Sequence, residues 1–248
     1  MELKTVQASA LKSCFEVLKD IINDVNVFFT PKGVSIIALD NAKAALINMN
    51  LEADRFEEYE CEENIKAGIN ISNFFKILKF ITSNDVLTIN IKDSDKMKII
   101  IENSTKNSRT NFDLKLLWIN EDELQIPAIV TTCTTVLPSA DFQRICRDMG
   151  NIGTEMSIFR ENNILKISCK GDFADQETEI DTDQTDYEGT IGNKYSLKYI
   201  NLFTKATGMC SNMRIEQSQP AESMPIRFVY DVANLGKIEF FLAAKLDE

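Results

Sequence analysis

The 248-residue sequence is 44% hydrophobic and 26% charged, a balance suited to a globular protein with one large domain or two modest ones. Its net charge of −11 would normally argue against nucleic-acid binding, and the complete lack of histidine removes the commonest general base and the commonest zinc ligand. Residues 1–6 are too short and polar for a signal peptide, no apolar run approaches a membrane span, and the six cysteines form no Cys-x-x-Cys pair, so a soluble intracellular protein with mostly buried free thiols is expected.

Taken in chain order, alternation predicts a strand over 2–7, followed by an amphipathic helix over 9–23. A hairpin over 25–39 turns at Pro31-Lys32-Gly33, and further strands follow over 44–51 and 65–71. Ser72 is the expected N-cap of a second helix through Phe80, and strands over 86–91, 97–102 and 109–116 complete this half. The segment 117–128 fits neither period and reads as a connector. The order then repeats: a strand over 130–137, a helix over 139–151 capped by Ser139, a hairpin over 156–169 turning at 160–163, and strands near 174–181 and 189–195. A fourth helix over 196–206 and strands over 213–217, 226–232 and 237–243 end the chain. The expected organisation is α+β, with one domain over 1–116, a connector over 117–133 and a similar domain over 134–248, each carrying antiparallel sheet and two helices on one face.

The charge is unevenly spread. The four helical segments hold eight Lys/Arg and four Asp/Glu, a net of +4, whereas the remaining 19 basic and 34 acidic residues give −15. In the first helix Leu11, Phe15, Leu18 and Ile22 form the apolar stripe and Lys12 and Lys19 lie opposite. Lys76 and Lys79 project from the second, Arg144 and Arg147 from the third, and Lys198 and Lys205 from the fourth. A single Lys on the wet face of a helix is normally just a solvated charge; four helices agreeing against an acidic background suggest a surface built for a polyanion. No aromatic residue is interleaved on those faces, so the cations are suited to phosphates and not to base stacking or sequence readout.

Several of these strings carry a family resemblance. Leu11-Lys12 with Leu18-Lys-Asp-Ile-Ile-Asn23, Lys76-Ile-Leu-Lys79, Phe142-Gln-Arg-Ile-Cys-Arg-Asp148, Tyr199-Ile-Asn-Leu-Phe-Thr-Lys-Ala-Thr207 and Phe240-Phe-Leu-Ala-Ala-Lys245 closely resemble the eukaryotic sliding clamps of the proliferating cell nuclear antigen family, in order along essentially the whole chain. The resemblance implies the DNA clamp fold, a head-to-tail homotrimer of six similar domains, and helices lining a hole for duplex DNA. It also implies a processivity factor and not an enzyme, with no cofactor, acting in the nucleus or at a site of viral DNA replication.

By similarity, ring closure falls to strand 109–115, with Arg109, Phe112 and Lys115, and to strand 174–181, with Asp175, Glu177, Glu179 and Asp181 alternating on one face. A partner-peptide pocket is implied at Leu39, Lys43, Ala44, Leu124, Ile126, Pro127, Pro225, Phe241, Ala243, Ala244 and Lys245. Its implied guests are peptide tails of DNA polymerase, clamp loader, flap endonuclease and DNA ligase. The family's usual Tyr at 241 is Phe here, its Pro at 244 is Ala, its His at 43 is Lys, and the second Lys of its usual Leu-Lys-Lys is Ser13. Two alternatives keep the same residues: a subunit of a heterotrimeric checkpoint-type clamp, or an acidic protein-binding scaffold that does not encircle DNA. A catalytic reading has no residues to carry it. The calcium-loop-like start at Asp181 has Asp186 where Gly is required and Gly192 where Glu is required.

Overall fold

The computed structural model describes every residue except Ser94, 121–123, 125, 127–128, 184–186, 188, 222–223 and 246–248. In chain order the first elements are β1 (Glu2–Thr5), α1 (Ala8–Leu18), β2 (Asp24–Thr30), β3 (Gly33–Leu39), β4 (Ala45–Glu52), β5 (Glu58–Glu60), β6 (Ile65–Asn70), α2 (Ile71–Leu78), β7 (Asp85–Asp93), β8 (Lys96–Asn103) and β9 (Ser108–Lys115). They are followed by β10 (Cys133–Pro138), α3 (Ser139–Met149), β11 (Glu155–Glu161), β12 (Ile164–Lys170), β13 (Asp175–Asp181), β14 (Thr190–Ser196), α4 (Leu197–Phe203), β15 (Asn212–Gln217), β16 (Ile226–Val232) and β17 (Gly236–Leu242).

The chain forms two compact units that exchange short pieces: 1–41, 47–124 and 231–238 make the first, and 42–46, 125–230 and 239–248 make the second. In the first unit the strand orders are β5-β1-β7-β8-β9 and β6-β2-β3-β4; in the second they are β10-β15-β16-β17 and β14-β11-β12-β13. Setting aside the short β5, the two plans coincide strand for strand, with β4 matching β13 and β9 matching β17. The predicted repeat is thus a repeat of topology and not only of composition.

Hydrophobic burial explains why the helices sit where they do. In the first unit Leu11 and Phe15 of α1 and Phe74 and Leu78 of α2 meet Leu3, Val27, Phe29, Met49, Ile69 and Leu87 from the strands around one small apolar void. The Phe15 and Phe74 rings meet edge-on, with centroids 4.6 Å apart, and lock the two helices together. The second unit uses a stack instead: Phe203 of α4 lies 4.6 Å from Phe240 and 5.9 Å from Phe228, which also contacts Phe142 of α3 at 5.7 Å. Cys14 and Cys146 occupy matching buried positions on α1 and α3, and burial pushes the Cys14 thiol up to about 12 and the Cys146 thiol higher still, which keeps both inert.

Some boundaries differ from the sequence expectation for identifiable reasons. Asn70, not Ser72, caps α2: its Oδ1 accepts the Asn73 backbone N–H at 2.9 Å, so the helix starts two residues early. Ser139 is the first residue of α3 and makes no cap; its N–H donates to the Ser211 carbonyl at 2.8 Å. The first helix ends at Leu18, with 19–21 continuing only as a turn. Two glycines are required by close approach: a Cβ on Gly33, at φ +138°, would lie 1.9 Å from the Leu51 carbonyl oxygen, and one on Gly68 would lie 2.2 Å from that of Leu117.

The turn after α2 is held by Asp85. Its carboxylate accepts the Thr82 N–H at 2.7 Å and a short hydrogen bond from the Asn103 amide. Burial works against ionisation there, but these hydrogen bonds outweigh it and hold the carboxyl below its ordinary value. A depressed folded value means stability that is complete above the unfolded pKa of about 3.9 and is lost as pH falls through the folded one. Wild-type protein is therefore expected to lose first-unit stability more steeply than Asp85→Asn as pH drops below about 4, read by urea unfolding at stepped pH. In the second unit, Phe203→Ala should cost about 3–5 kcal/mol. Native-state hydrogen exchange should show that loss in the amides of β16 and leave those of β7 unchanged.

Candidate nucleic-acid interface

Seven of the eight predicted cations present their charge to solvent or near it. Lys76, Lys79, Arg144, Arg147, Lys198 and Lys205 are exposed, and Lys19 is half-buried along its stem. Lys76, Arg144, Arg147 and Lys198 lie opposite the buried stripes of their helices, whereas Lys19 and Lys79 are the C-cap residues of α1 and α2 and Lys205 lies in the 3-10 turn that follows α4. Lys12 is different. Its ammonium donates to the Ile81 carbonyl at 2.9 Å, at the carbonyl-rich end of α2, where a cation satisfies an otherwise orphaned acceptor. That leaves two of its three donors for any other contact.

Within the first unit, the Lys19 and Lys79 ammonium groups stand 5.4 and 5.5 Å from the centroid of the Phe75 ring. The π face draws both cations to one place and offsets part of their mutual repulsion, concentrating positive charge beside α2. Nearby carboxylates temper other sites: Lys19 meets Asp20 at 2.8 Å, Arg144 meets Asp141 at 3.9 Å and Arg147 meets Asp148 at 3.8 Å. Exposed pairs of this kind are weak and exchange readily for a phosphate. Lys76 reaches the Asn73 side-chain oxygen at 3.2 Å.

The predicted edge residues lie on two long sheet edges. β9 ends the five-stranded sheet of the first unit, with Arg109 and Lys115 exposed and Phe112 half-buried against Phe80, centroids 5.3 Å apart. Phe80 is 63% exposed, which makes the ring pair an open apolar patch beside an unpaired backbone. Phe80 was assigned no role from sequence; it lies in the turn just past α2, where its N–H donates to the Ile77 carbonyl at 3.1 Å. β13 ends the four-stranded sheet of the second unit, with Asp175, Glu177, Glu179 and Asp181 all exposed and the residues between them half-buried. Lys166 of β12 hydrogen-bonds Glu179 at 2.8 Å and lies 3.9 Å from Glu177, which raises the lysine pKa.

The other edges are covered or shorter, β10 ending its sheet with six residues. Leu117 N–H donates to the Gly68 carbonyl at 2.7 Å along β6, Lys245 N–H donates to the Lys194 carbonyl at 2.9 Å along β14, and β5 has only three residues. Inside the first unit Glu52 N–H of β4 donates to the Leu235 carbonyl at 2.8 Å, and inside the second Ala243 N–H, just past β17, donates to the Ala44 carbonyl at 3.0 Å.

The residues implied for a peptide pocket fall in both units. In the first, Leu39 is exposed at the end of β3, and Leu124 lines an open groove with Phe28, Ile37 and Ile65. In the second, Lys43 is exposed at φ 56°, Ala44, Ile126, Pro225 and Ala244 are half-buried, and Ala243 and Lys245 are exposed. Pro127 lies outside the described residues. Phe241 is only 4% exposed, and the Arg227 guanidinium stands 5.7 Å above its ring while pairing with Glu216 and, at 3.4 Å, Glu239. Sequence reasoning missed Arg227, because its partners come from two other strands, β15 and β17. Among the described residues no cluster of His, Cys, Asp or Glu could hold a metal, and no helix is long and apolar enough to cross a membrane.

Comparison with known proteins agrees with this geometry. Residues 1–125 match the family description "Proliferating cell nuclear antigen, N-terminal domain", and residues 125–245 match "Proliferating cell nuclear antigen, C-terminal domain". The chain is also 36% identical over 256 residues to the "Probable DNA polymerase sliding clamp 1" of Paramecium bursaria Chlorella virus 1, a match covering 97% of this chain and 95% of that protein. The chain belongs to the proliferating cell nuclear antigen family of DNA sliding clamps, which act as polymerase processivity factors.

Proposed function

We propose that three copies of the chain close into a homotrimeric ring around duplex DNA and tether the replicative polymerase to its template, with no catalytic step of their own. One observation carries this reading. The outer flanks of β4 and β17 are met inside their own units, by the Glu52 N–H bond to the Leu235 carbonyl and the Ala243 N–H bond to the Ala44 carbonyl, whereas their topological counterparts β13 and β9 have no neighbour strand on their outer sides among the described residues. Pairing β9 of one copy with β13 of the next repeats the same join head to tail, and a heterologous join of this type closes into a ring. Charge favours the polarity: β13 against β13 would face four carboxylates with four, while β9 brings Arg109 and Lys115 to them.

In such a ring Lys12, Lys19, Lys76, Lys79, Arg144, Arg147, Lys198 and Lys205 serve as phosphate contacts, 24 in all from three times eight. Their role is sequence-independent and their strength falls steeply with salt, so the hold on DNA is topological. The acidic remainder disfavours DNA on other surfaces. Leu39, Lys43, Ala44, Leu124, Ile126, Pro127, Pro225, Phe241, Ala243, Ala244 and Lys245 are the proposed contacts for short hydrophobic peptides of polymerase, clamp loader, flap endonuclease and ligase. The viral origin of the relative fits a role wherever the genome is being copied, whether a nucleus or a viral replication site.

Loading onto nicked circular duplex tests the proposal. Loaded protein should stay on the circle through a high-salt gel-filtration column and leave when the circle is cut. The combined change of Lys19, Lys76, Lys79, Arg147 and Lys205 to Ala should abolish loading and polymerase stimulation. On linear duplex it should lower the slope of log affinity against log salt by about 0.9 for each phosphate no longer neutralised. Retention that survives cutting, or stimulation intact in the quintuple variant, would contradict it.

A further inference from the structure

We propose that Arg160 is a positioning residue for the β13 edge, holding the end of that strand in the conformation that receives β9 of a neighbouring copy; this rests on the ring reading above. Arg160 lies on β11, is 1% exposed and is the largest fully buried side chain of the described chain. Its charge meets no carboxylate among the described residues. Instead its three nitrogens reach three separate segments: Nε donates to the Asn162 carbonyl at 2.6 Å in the β11–β12 turn, one terminal nitrogen to Thr135 Oγ1 at 3.1 Å on β10, and the other, by a short bond, to the Asp183 carbonyl just beyond β13.

Among the described residues the acceptors of this buried cation are neutral, and burying it costs desolvation that its fixed donor geometry must offset with something an apolar side chain could not supply. The planar guanidinium fork aims fixed donors in diverging directions, which a lysine cannot do. The consequence falls on β13. Its last residue, Asp181, pairs with Ile164, and Thr182 then binds the Asn163 carbonyl twice, through N–H at 2.8 Å and Oγ1 at 2.9 Å. Arg160 grips the next residue. Two successive residues past the strand are thereby tied to one turn, and the free edge cannot fray from that end. An edge that is straight before assembly pays less ordering entropy when a partner strand adds to it.

The test uses the full chain with Arg160→Met, which keeps much of the apolar stem, and Arg160→Lys, which keeps the charge but not the fork. Sedimentation over a concentration series should show assembly of Arg160→Met shifted to at least about tenfold higher concentration, as expected when hydrogen bonds to a charged group are removed, with Arg160→Lys between it and wild type. A directional readout separates positioning from general destabilisation. The combined variant Arg109→Glu, Lys115→Glu spoils the β9 edge and leaves β13 intact; Arg160→Met does the reverse. Mixed at a concentration where each alone is monomeric, they should form one-to-one dimers through the one sound edge of each, and no rings. Assembly of either Arg160 variant equal to wild type, or the lack of mixed dimers, would overturn the proposal while leaving the ring intact. If Arg160→Met does not fold, the same mixture made with Arg160→Lys decides the question. A wild-type protein that stays monomeric would overturn the ring reading itself.

Discussion

An antiparallel sheet keeps an unsatisfied row of N–H and C=O groups along each flank, and the account of this protein rests on which flanks are left open. Within its own unit β6 is bridged by Leu117, β14 is met by Lys245, β4 is tied through Glu52 to Leu235, and Ala243, just past β17, is tied to Ala44. β9 and β13 are left as long edges of eight and seven residues. Proteins normally blunt such edges because they template aggregation. Here the blunting is selective: the alternating carboxylates of β13 oppose its pairing with itself and favour an edge bearing Arg109 and Lys115. In the proposed ring, the same device that prevents disordered stacking would set the direction of assembly.

The charge pattern follows from amphipathic helices laid on those sheets. Because α1 to α4 each bury one stripe, most of the cations on and just past them, Lys12 excepted, are left toward solvent, and the net of +4 on the helical segments becomes a surface property instead of a compositional one. The Phe75 ring adds to this by holding Lys19 and Lys79 close together. Such a surface attracts phosphate without specifying sequence, which suits a tether that must move along its template. In the proposed interface the weak pairs with Asp20, Asp141 and Asp148 would temper that attraction.

Much of the fold was legible in the sequence because local signals agreed with the final packing. The Pro31-Lys32-Gly33 turn and the alternating runs around it specify a hairpin, and the apolar stripes of Phe15 and Leu18 or Phe142 and Ile145 specify which helix face is buried. The failures have a common cause in long-range contacts. β5, spelled Glu58-Tyr59-Glu60, is too short and acidic to register as a strand and exists because it pairs with β1. Lys12 has the right helical phase for an outward cation, yet its ammonium is claimed by Ile81, 69 residues away. Arg160 reads as part of an exposed turn and is buried because Asp183 and Thr135 close over it. The approach of Arg227 to Phe241 likewise depends on three strands meeting. Residue type and spacing reveal faces, but not partners that arrive from elsewhere in the chain.

The central claim is that the open edges β9 and β13 join copies of the chain into a closed ring of three. Native mass by light scattering over a range of micromolar concentrations tests it most directly. The account predicts a constant particle of three times 28.1 kDa, about 84 kDa. A stable 28.1 kDa monomer across that range, or a mass that keeps rising with concentration as in an open filament, would contradict it.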